Sequence, residues 1–407
     1  MHTPRNSHGK VFHNLHDSAK AQLARDTDTC VKCALCLPVC PTYALNRTET
    51  QSPRGRVSLA QAMANGQLAP EQARPAFDAC LTCLACETVC PARVPYGAII
   101  DRARQLSGGP TGRESLVANV LSRPWAVRIL GALHRLSRAL PLPRPLARLR
   151  ALPGPVSSAP PLGEPGPPRT ALTTSLLVGC LSSAFDRATV DSFTALFHAV
   201  GLPMTPVDGC CGALARHTGD EALAARLHDP MVARLSAGEG PIAHVASGCA
   251  AGILQSVQSH PPNAGGVALK DRVADPFVIL RDADLAERLS GRRGPLQRVV
   301  LHEPCTQRNS LEAGGVITDL LHAVDGLEVT VARGHGCCGA AGSHMLTQPK
   351  AATSLADALL DDIPDPASVD VLLTSNIGCA WHLRGALFDR GAAMNVMHPA
   401  TFLARCL

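Results

Sequence analysis

Short apolar runs alternate with amphipathic stretches through the C-terminal half of the chain. SLLVGC (175–180), IAHVASGC (242–249), RVVLHEPC (298–305) and VDVLLTSNIGC (369–379) are aliphatic and β-rich, and each ends in a cysteine, which predicts buried strands. ATVDSFTALFHAV (188–200) and GVITDLLHAV (315–324) repeat their apolar positions at three- and four-residue spacing and predict helices. Strand–helix alternation implies an α/β fold. The cysteines would then lie where strands end and loops begin, the usual ligand edge of such sheets. Nearer the N-terminus, RVSLAQAMANG reads as a helix with an Asn-Gly stop, inside a mostly α-helical module.

The C-terminal block repeats itself. Cys180, Cys210-Cys211 and Cys249 recur as Cys305, Cys337-Cys338 and Cys379, displaced by 125, 127 and 130 residues. The expected organisation is therefore a cysteine-dense domain at 20–106, a connector and linker at 107–170, and two repeated α/β units at 171–290 and 296–407. From the end of the first domain into the connector, residues 101–150 carry ten arginines against Asp101 and Glu114. Its segment 115–140, interrupted by Pro124, mixes apolar and basic residues in the manner of an amphipathic surface helix. Such a helix suits anionic lipid, a partner subunit or the protein's own surface. The proline- and glycine-rich 141–170 cannot continue a helix or a sheet ladder and reads as a linker.

Composition narrows the class. With 46% hydrophobic and 17% charged residues the chain is globular, and 3% aromatic content with a net charge of +5 argues against nucleic-acid binding. No apolar window is long enough to span a bilayer, so membrane contact would be peripheral. Seventeen cysteines could form a secreted disulfide framework. The N-terminus lacks a signal-peptide apolar run, however, and the cysteines fall in tight metal-ligand spacings, which points to a reducing, cytoplasmic compartment.

Residues 30–41 read CVKCALCLPVCP and residues 80–91 read CLTCLACETVCP, each a C-x2-C-x2-C-x3-C-P run. Three thiolates two residues apart on a tight loop face one cluster, while the fourth, followed by proline, turns away to the other cluster. This assigns Cys30, Cys33, Cys36 and Cys90 to one 4Fe–4S cluster and Cys80, Cys83, Cys86 and Cys40 to a second. Zinc, the competing reading, needs two pairs of ligands and explains neither the third cysteine nor Pro41 and Pro91. Arg54 and Arg56 read as partners of local carbonyls or acids, and Tyr43 and Tyr96 as packing beside the clusters.

Each C-terminal unit carries a vicinal pair, DGCCGA (208–213) and HGCCGA (335–340). Adjacent cysteines rarely bridge each other, so a Cys-Cys in a glycine-rich loop points to metal or redox work. Cys180, Cys210, Cys211 and Cys249 form one candidate set, and Cys305, Cys337, Cys338 and Cys379 the other. His302, His335 and His382 lie close by in sequence and read as packed or solvent-facing, and Cys406 reads as a bystander thiol.

These repeats resemble the cysteine-rich CCG domain family of heterodisulfide reductases and of glycolate, lactate and glycerol-3-phosphate dehydrogenase iron–sulfur subunits. Together with CPTYAL, SPRGRVSLAQ, CLTCLACETVCPARVPY, CCGAAGSHMLTQP and TSNIGCAWHL, the chain resembles the glycolate oxidase iron–sulfur subunit family. That resemblance implies electron transfer from FAD on partner flavoprotein subunits; one-electron clusters suit delivery to a quinone-type acceptor, and any membrane contact of this cytoplasmic chain would be peripheral, on the inner face of the cytoplasmic membrane. The fifth thiol of the heterodisulfide reductase motif is missing in both units, where the sequence reads Cys249-Ala-Ala-Gly252 and Cys379-Ala-Trp-His382. This counts against a thiol–disulfide reductase. A lactate or glycerol-3-phosphate dehydrogenase subunit, or a protein with purely structural clusters, are the other readings. No G-x-G-x-x-G opens a predicted strand–helix unit and no acid–base pair for alcohol oxidation is evident, so no residue is expected to act on substrate.

Overall fold

A computed structural model describes residues 7–109, 120, 123–139, 162–259 and 266–407. The linker reading for 141–161, and the amphipathic reading for 115–119, 121–122 and 140, lie outside the described residues.

The N-terminal part is helical, as expected: Ser7–Asp28, Pro41–Asn46, Pro53–Ala64, Pro70–Asp78, Ala85–Thr88 and Tyr96–Leu106. Proline begins three of the first four helices after the long N-terminal one, where its missing N–H costs nothing. Ser52 caps Pro53–Ala64 by accepting from the Gly55 N–H at 3.0 Å, and the helix stops at Asn65 before Gly66, whose φ is +70°. Leu23, Val57, Ala60, Phe77, Ile99, Ile100 and Ala103 close the core between these helices.

The Pro124–Ala139 helix is amphipathic in the sense expected. Val127 is buried with Phe185, Ala246 and Ile377, while Trp125, Ile129 and Leu133 are exposed. No described helix is long and apolar enough to cross a membrane.

Two parallel sheets follow. The first contains β1 (Thr174–Gly179), β2 (Met204–Gly209) and β3 (Ile242–His244) in the order β2-β1-β3. The second contains β4 (Arg298–His302), β5 (Glu328–Val331), β6 (Val371–Thr374) and β7 (Asn395–Met397) in the order β5-β4-β6-β7. Strand for strand, β4-β5-β6 repeats β1-β2-β3 with every pair parallel. Where the second unit has β7, the first has, among the described residues, a bridge between Ile242 and Val273.

Two expectations need correction. The four cysteine-terminated runs are not strands to their ends. β1 stops at Gly179, and Cys180 opens the Cys180–Phe185 helix; β4 stops at His302, and Cys305 opens Cys305–Asn309. Cys249 and Cys379 are each the third residue of a helix, Ser247–Ser259 and Ile377–Asp389. A short apolar run cannot separate the end of a buried strand from the first turn of the helix that follows it. Strands β2, β5 and β7 also escaped the reading, because MTPVDG, EVTV and NVM are short and half polar.

The units share one core. Phe193 and Phe277 from the first pack with Leu320, Phe402 and Leu403 from the second. His398 lies at this seam: its Nδ1 accepts from the Ala400 N–H at 3.1 Å, capping Pro399–Ala404, and its ring stacks 6.0 Å from Phe277. Burial, with His244 nearby, pushes its pKa down from 6.5 to about 3. The unfolded imidazole therefore takes up a proton near pH 6.5 that the folded one refuses, so stability falls as pH drops from about 6.5 towards 3. His398→Asn keeps a cap acceptor and removes the titration. It should be less stable near neutral pH by about 1 kcal/mol for the lost stacking, and denaturant melts over this pH range should show its deficit against the wild type shrinking on acidification.

Candidate thiol and iron–sulfur sites

The two cysteine runs fold into loops with the same backbone. Lys32 and Ala34 in the first, and Thr82 and Leu84 in the second, all have positive φ (+56°, +73°, +50° and +56°) at matching places between the cysteines. A side-chain-bearing residue in this region costs about 1–2 kcal/mol. Four such residues, paired by position, mark loops bent around something their thiols must face. Cys40, Cys80, Cys83 and Cys86 line one small cavity of about 20 Å³ with Pro41, Arg56 and Tyr96, so the last cysteine of the first run meets the first three of the second. Cys30, Cys36 and Cys90 are half-buried against the helical core, and Cys33 is exposed.

Two buried cations flank the Cys40–Cys86 cavity. Arg56, only 1% exposed, donates to the Ala76 carbonyl (2.7 Å), Thr42 Oγ1 (3.0 Å) and Gln51 Oε1 (2.9 Å). Arg104 donates to the carbonyls of Phe77 (3.0 Å) and Cys80 (2.6 Å) and to Thr82 Oγ1 (2.9 Å). Every one of these acceptors is neutral, the carboxyl within electrostatic reach of Arg104 being that of buried Asp101, and a buried cation is costly without negative charge close by. The Cys80 thiol responds: burial would raise its pKa, but Arg56, Arg104 and the Tyr96 hydroxyl at 3.5 Å bring it below its ordinary value. The donor set and its surroundings thus fit an anionic thiolate-bound cluster. Arg54 instead pairs with Glu49 at 2.6 Å and reaches the Lys32 carbonyl, and Tyr96 is buried beside Cys80, both in keeping with the residues' expected roles.

All eight C-terminal thiols gather at the carboxyl edges of the parallel strands, where such sheets place their ligands. In each unit a helix opens at or just before the first and last cysteine, aiming its N-terminal dipole at the sulfurs. The vicinal pairs take the same pose. Gly212 (φ +72°) and Gly339 (φ +90°) follow them, and a Cβ on either would stand 2.6–2.7 Å from a carbonyl oxygen, that of Ala224 or of Ala352. The C-C-G loop therefore requires its glycine. Cys180 pairs with Cys210 and Cys249 with Cys211; Cys305 pairs with Cys337 (3.9 Å) and Cys379 with Cys338. The Cys180 contact draws the Cys210 thiol down to about 7, against its burial. All seventeen cysteines are free of disulfides.

The two units differ in their surroundings. The first unit's thiols open on a cavity of about 630 Å³, walled by Leu181, Leu214, Met345, Leu346, Ile377 and Trp381 from both units. In the second unit Cys337, Cys338 and Cys379 are buried, and the site abuts the N-terminal module: Asn309 donates to the Cys83 carbonyl at 2.7 Å, and Cys83, Cys305, Cys337 and Leu81 share one apolar cluster. The units also meet directly through Ser247 and Thr306, whose hydroxyls are 2.8 Å apart.

His302, read from sequence as packed or solvent-facing, is 2% exposed and beside the second set of thiols, with Nδ1 2.9 Å from Thr374 Oγ1. Burial and Arg308 push its pKa down to about 3, so the imidazole is neutral. His335 is exposed, and His382 Nε2 is satisfied by the Ala352 carbonyl at 2.9 Å. Cys406 is buried, and burial pushes its thiol up to about 12, as suits a bystander. Arg104, Asn309 and the cavity carry no sequence signature; buried-arginine pairing becomes visible only when the helices Pro53–Ala64 and Tyr96–Leu106 are brought together.

These features define an iron–sulfur protein with a ferredoxin-type cysteine module and a duplicated cysteine-rich domain. The family described as a 4Fe–4S dicluster domain matches residues 26–94, and the family described as a cysteine-rich domain, CCG, matches 174–253 and 299–384. The chain is similar to the glycolate oxidase iron–sulfur subunit of Escherichia coli, 28% identical over 88% of this chain and 89% of the relative. It is 25% identical to the probable glycolate oxidase iron–sulfur subunit of Bacillus subtilis over 92% of each. It is also 24% identical to lactate utilization protein A of an Exiguobacterium species, over 58% of this chain and 97% of that protein. The resemblance to the glycolate oxidase iron–sulfur subunits therefore holds along nearly the whole chain.

Replacing Arg56 by Gln removes one buried positive charge beside Cys80 while keeping a polar side chain. The reduced, more negative form of an adjacent cluster then loses stabilisation, and its midpoint potential should fall on the order of tens of mV. Potentiometric titration followed by EPR checks this; an unchanged potential would show that Arg56 is not a charge partner of a cluster.

Proposed function

We propose that this chain is the electron-relay subunit of a glycolate oxidase complex, passing electrons from a partner-bound flavin to a quinone-type acceptor as glycolate is oxidised to glyoxylate. The observation that carries the reading is the pair of matched cysteine loops beside two buried arginines that donate to neutral oxygens, in a chain that parallels glycolate oxidase iron–sulfur subunits over nearly its full length. Cys30, Cys33, Cys36 and Cys90 hold one 4Fe–4S cluster, and Cys40, Cys80, Cys83 and Cys86 the other. When bound, such clusters supply one-electron steps between a two-electron flavin donor and the acceptor.

This chain's residues set the direction of the relay. Arg56 and Arg104 favour the reduced state at the Cys40–Cys86 site. Cys83 touches the second cysteine-rich unit, which in turn touches the first through Ser247 and Thr306. The apolar cavity over Cys180, Cys210, Cys211 and Cys249 suits a lipophilic acceptor, and the exposed Trp125, Ile129 and Leu133, on the helix whose Val127 packs against the cavity residues Ala246 and Ile377, suit peripheral contact with a membrane or a partner subunit. FAD, the hydride acceptor that oxidation of an alcohol carbon requires, belongs to the partner flavoproteins in this reading.

A second reading, a lactate-oxidising complex, draws on the relatives named lactate utilization protein A, but these match little more than half of the chain. The purified complex decides between them. Glycolate added anaerobically should bleach the cluster absorption only when the flavoprotein partners are present. Bleaching by lactate and not glycolate would move the chain to the second reading, and bleaching by neither would reject the relay.

A further inference from the structure

The second cysteine-rich unit contains a nitrogen donor where its sequence lacks a thiol. A ring nitrogen of His302 and the sulfurs of Cys338 and Cys379 all lie within 4.8 Å of one another, and all three side chains are buried. Among the described residues no other group of three or more His, Cys, Asp or Glu side chains comes together this tightly. The Nε2 atom is buried and has no hydrogen-bond partner, although an imidazole nitrogen left unpaired in the interior is costly. Its other nitrogen is fixed by Thr374 Oγ1 at 2.9 Å. A ring held from behind by a hydroxyl, with its free nitrogen turned to two thiols, is the usual arrangement of a metal-bound histidine.

We propose that His302 Nε2 is a ligand, with Cys338 and Cys379, of a thiophilic metal centre in the second cysteine-rich unit. Cys337, next to Cys338 in the loop and with its sulfur 3.9 Å from that of Cys305, extends the row of sulfurs and supplies a fourth ligand. Two thiolates and an imidazole suit zinc or the iron of a cluster and disfavour the hard, oxygen-seeking cations. Thr374 is a positioning residue: it fixes the ring's orientation and tautomer without touching the metal. The helix Ile377–Asp389 delivers Cys379 and the C-C-G loop delivers Cys338, so the centre ties β4, β5 and β6 together at one edge of the sheet. The first unit has no counterpart to this trio among its described residues, so the two repeats are unequal centres.

The proposal adds to the relay reading a site that the two ferredoxin-type clusters do not need. Its test uses the full chain, purified anaerobically with those clusters in place. Metal analysis should find metal beyond the ferredoxin-type iron. If that metal is zinc, X-ray absorption at the zinc edge should show mixed sulfur and imidazole scattering; if it is iron, pulsed EPR on protein carrying 15N-histidine should show a metal-bound nitrogen. His302→Ala should abolish the nitrogen signature. His302→Cys should retain the metal with sulfur alone, which separates a ligand from a packing residue, and Thr374→Val should weaken metal retention about 10–100-fold. Wild-type protein with no additional metal, or a nitrogen signature unchanged in His302→Ala, would overturn the proposal. Bleaching by glycolate through the ferredoxin-type clusters is read separately, so failure here and failure of the relay are distinguishable.

Discussion

Two guanidinium groups buried beside Cys80 constrain the rest of the N-terminal module. Arg56 and Arg104 come from different helices, and each donates to carbonyl and hydroxyl oxygens. Burying cations this way is strongly unfavourable unless negative charge stands close by. The thiols of Cys40, Cys80, Cys83 and Cys86 surround the same space, and as cluster ligands they would supply that charge. The left-handed residues of the two loops then have a reason as well, because a loop that turns its thiols inward around a cluster must leave the ordinary backbone regions.

The C-terminal half follows from a different constraint. A parallel sheet collects its ligands at the carboxyl ends of its strands, and a duplicated sheet does so twice. The duplication is faithful in strand order, vicinal cysteines and required glycines, but not in environment. One set of thiols faces an apolar cavity, while the other is sealed against the N-terminal module with His302 among its sulfurs. Such asymmetry suits a chain in which one unit receives electrons and the other delivers them.

Much of this was legible in the sequence. Cysteine spacing identified both loops, and the repeat announced itself through Cys-Cys-Gly. The helices at Arg187–Ala199 and Val316–His322 fell within a residue or two of their periodic patterns. What was not legible depends on tertiary packing. His302 looked like any histidine near a cysteine, since its meaning lies in Thr374 behind it and Cys379 ahead, 72 and 77 residues further along the chain. Arg104 sat in an arginine-rich connector read for its surface charge, yet it is buried. The strand ends were misplaced because a cysteine closing an apolar run looks the same whether it ends a strand or begins a helix.

The most direct test of the electron-relay account is the ligand set of the two clusters, read from EPR spectra of the reduced, anaerobically purified chain with single Cys→Ser changes. The account predicts about eight irons in the ferredoxin-type module, and it predicts that Cys40→Ser disturbs the same cluster signal as Cys83→Ser while sparing the one disturbed by Cys33→Ser. Zinc in place of iron, or a Cys40→Ser change that tracks Cys33→Ser instead, would contradict it.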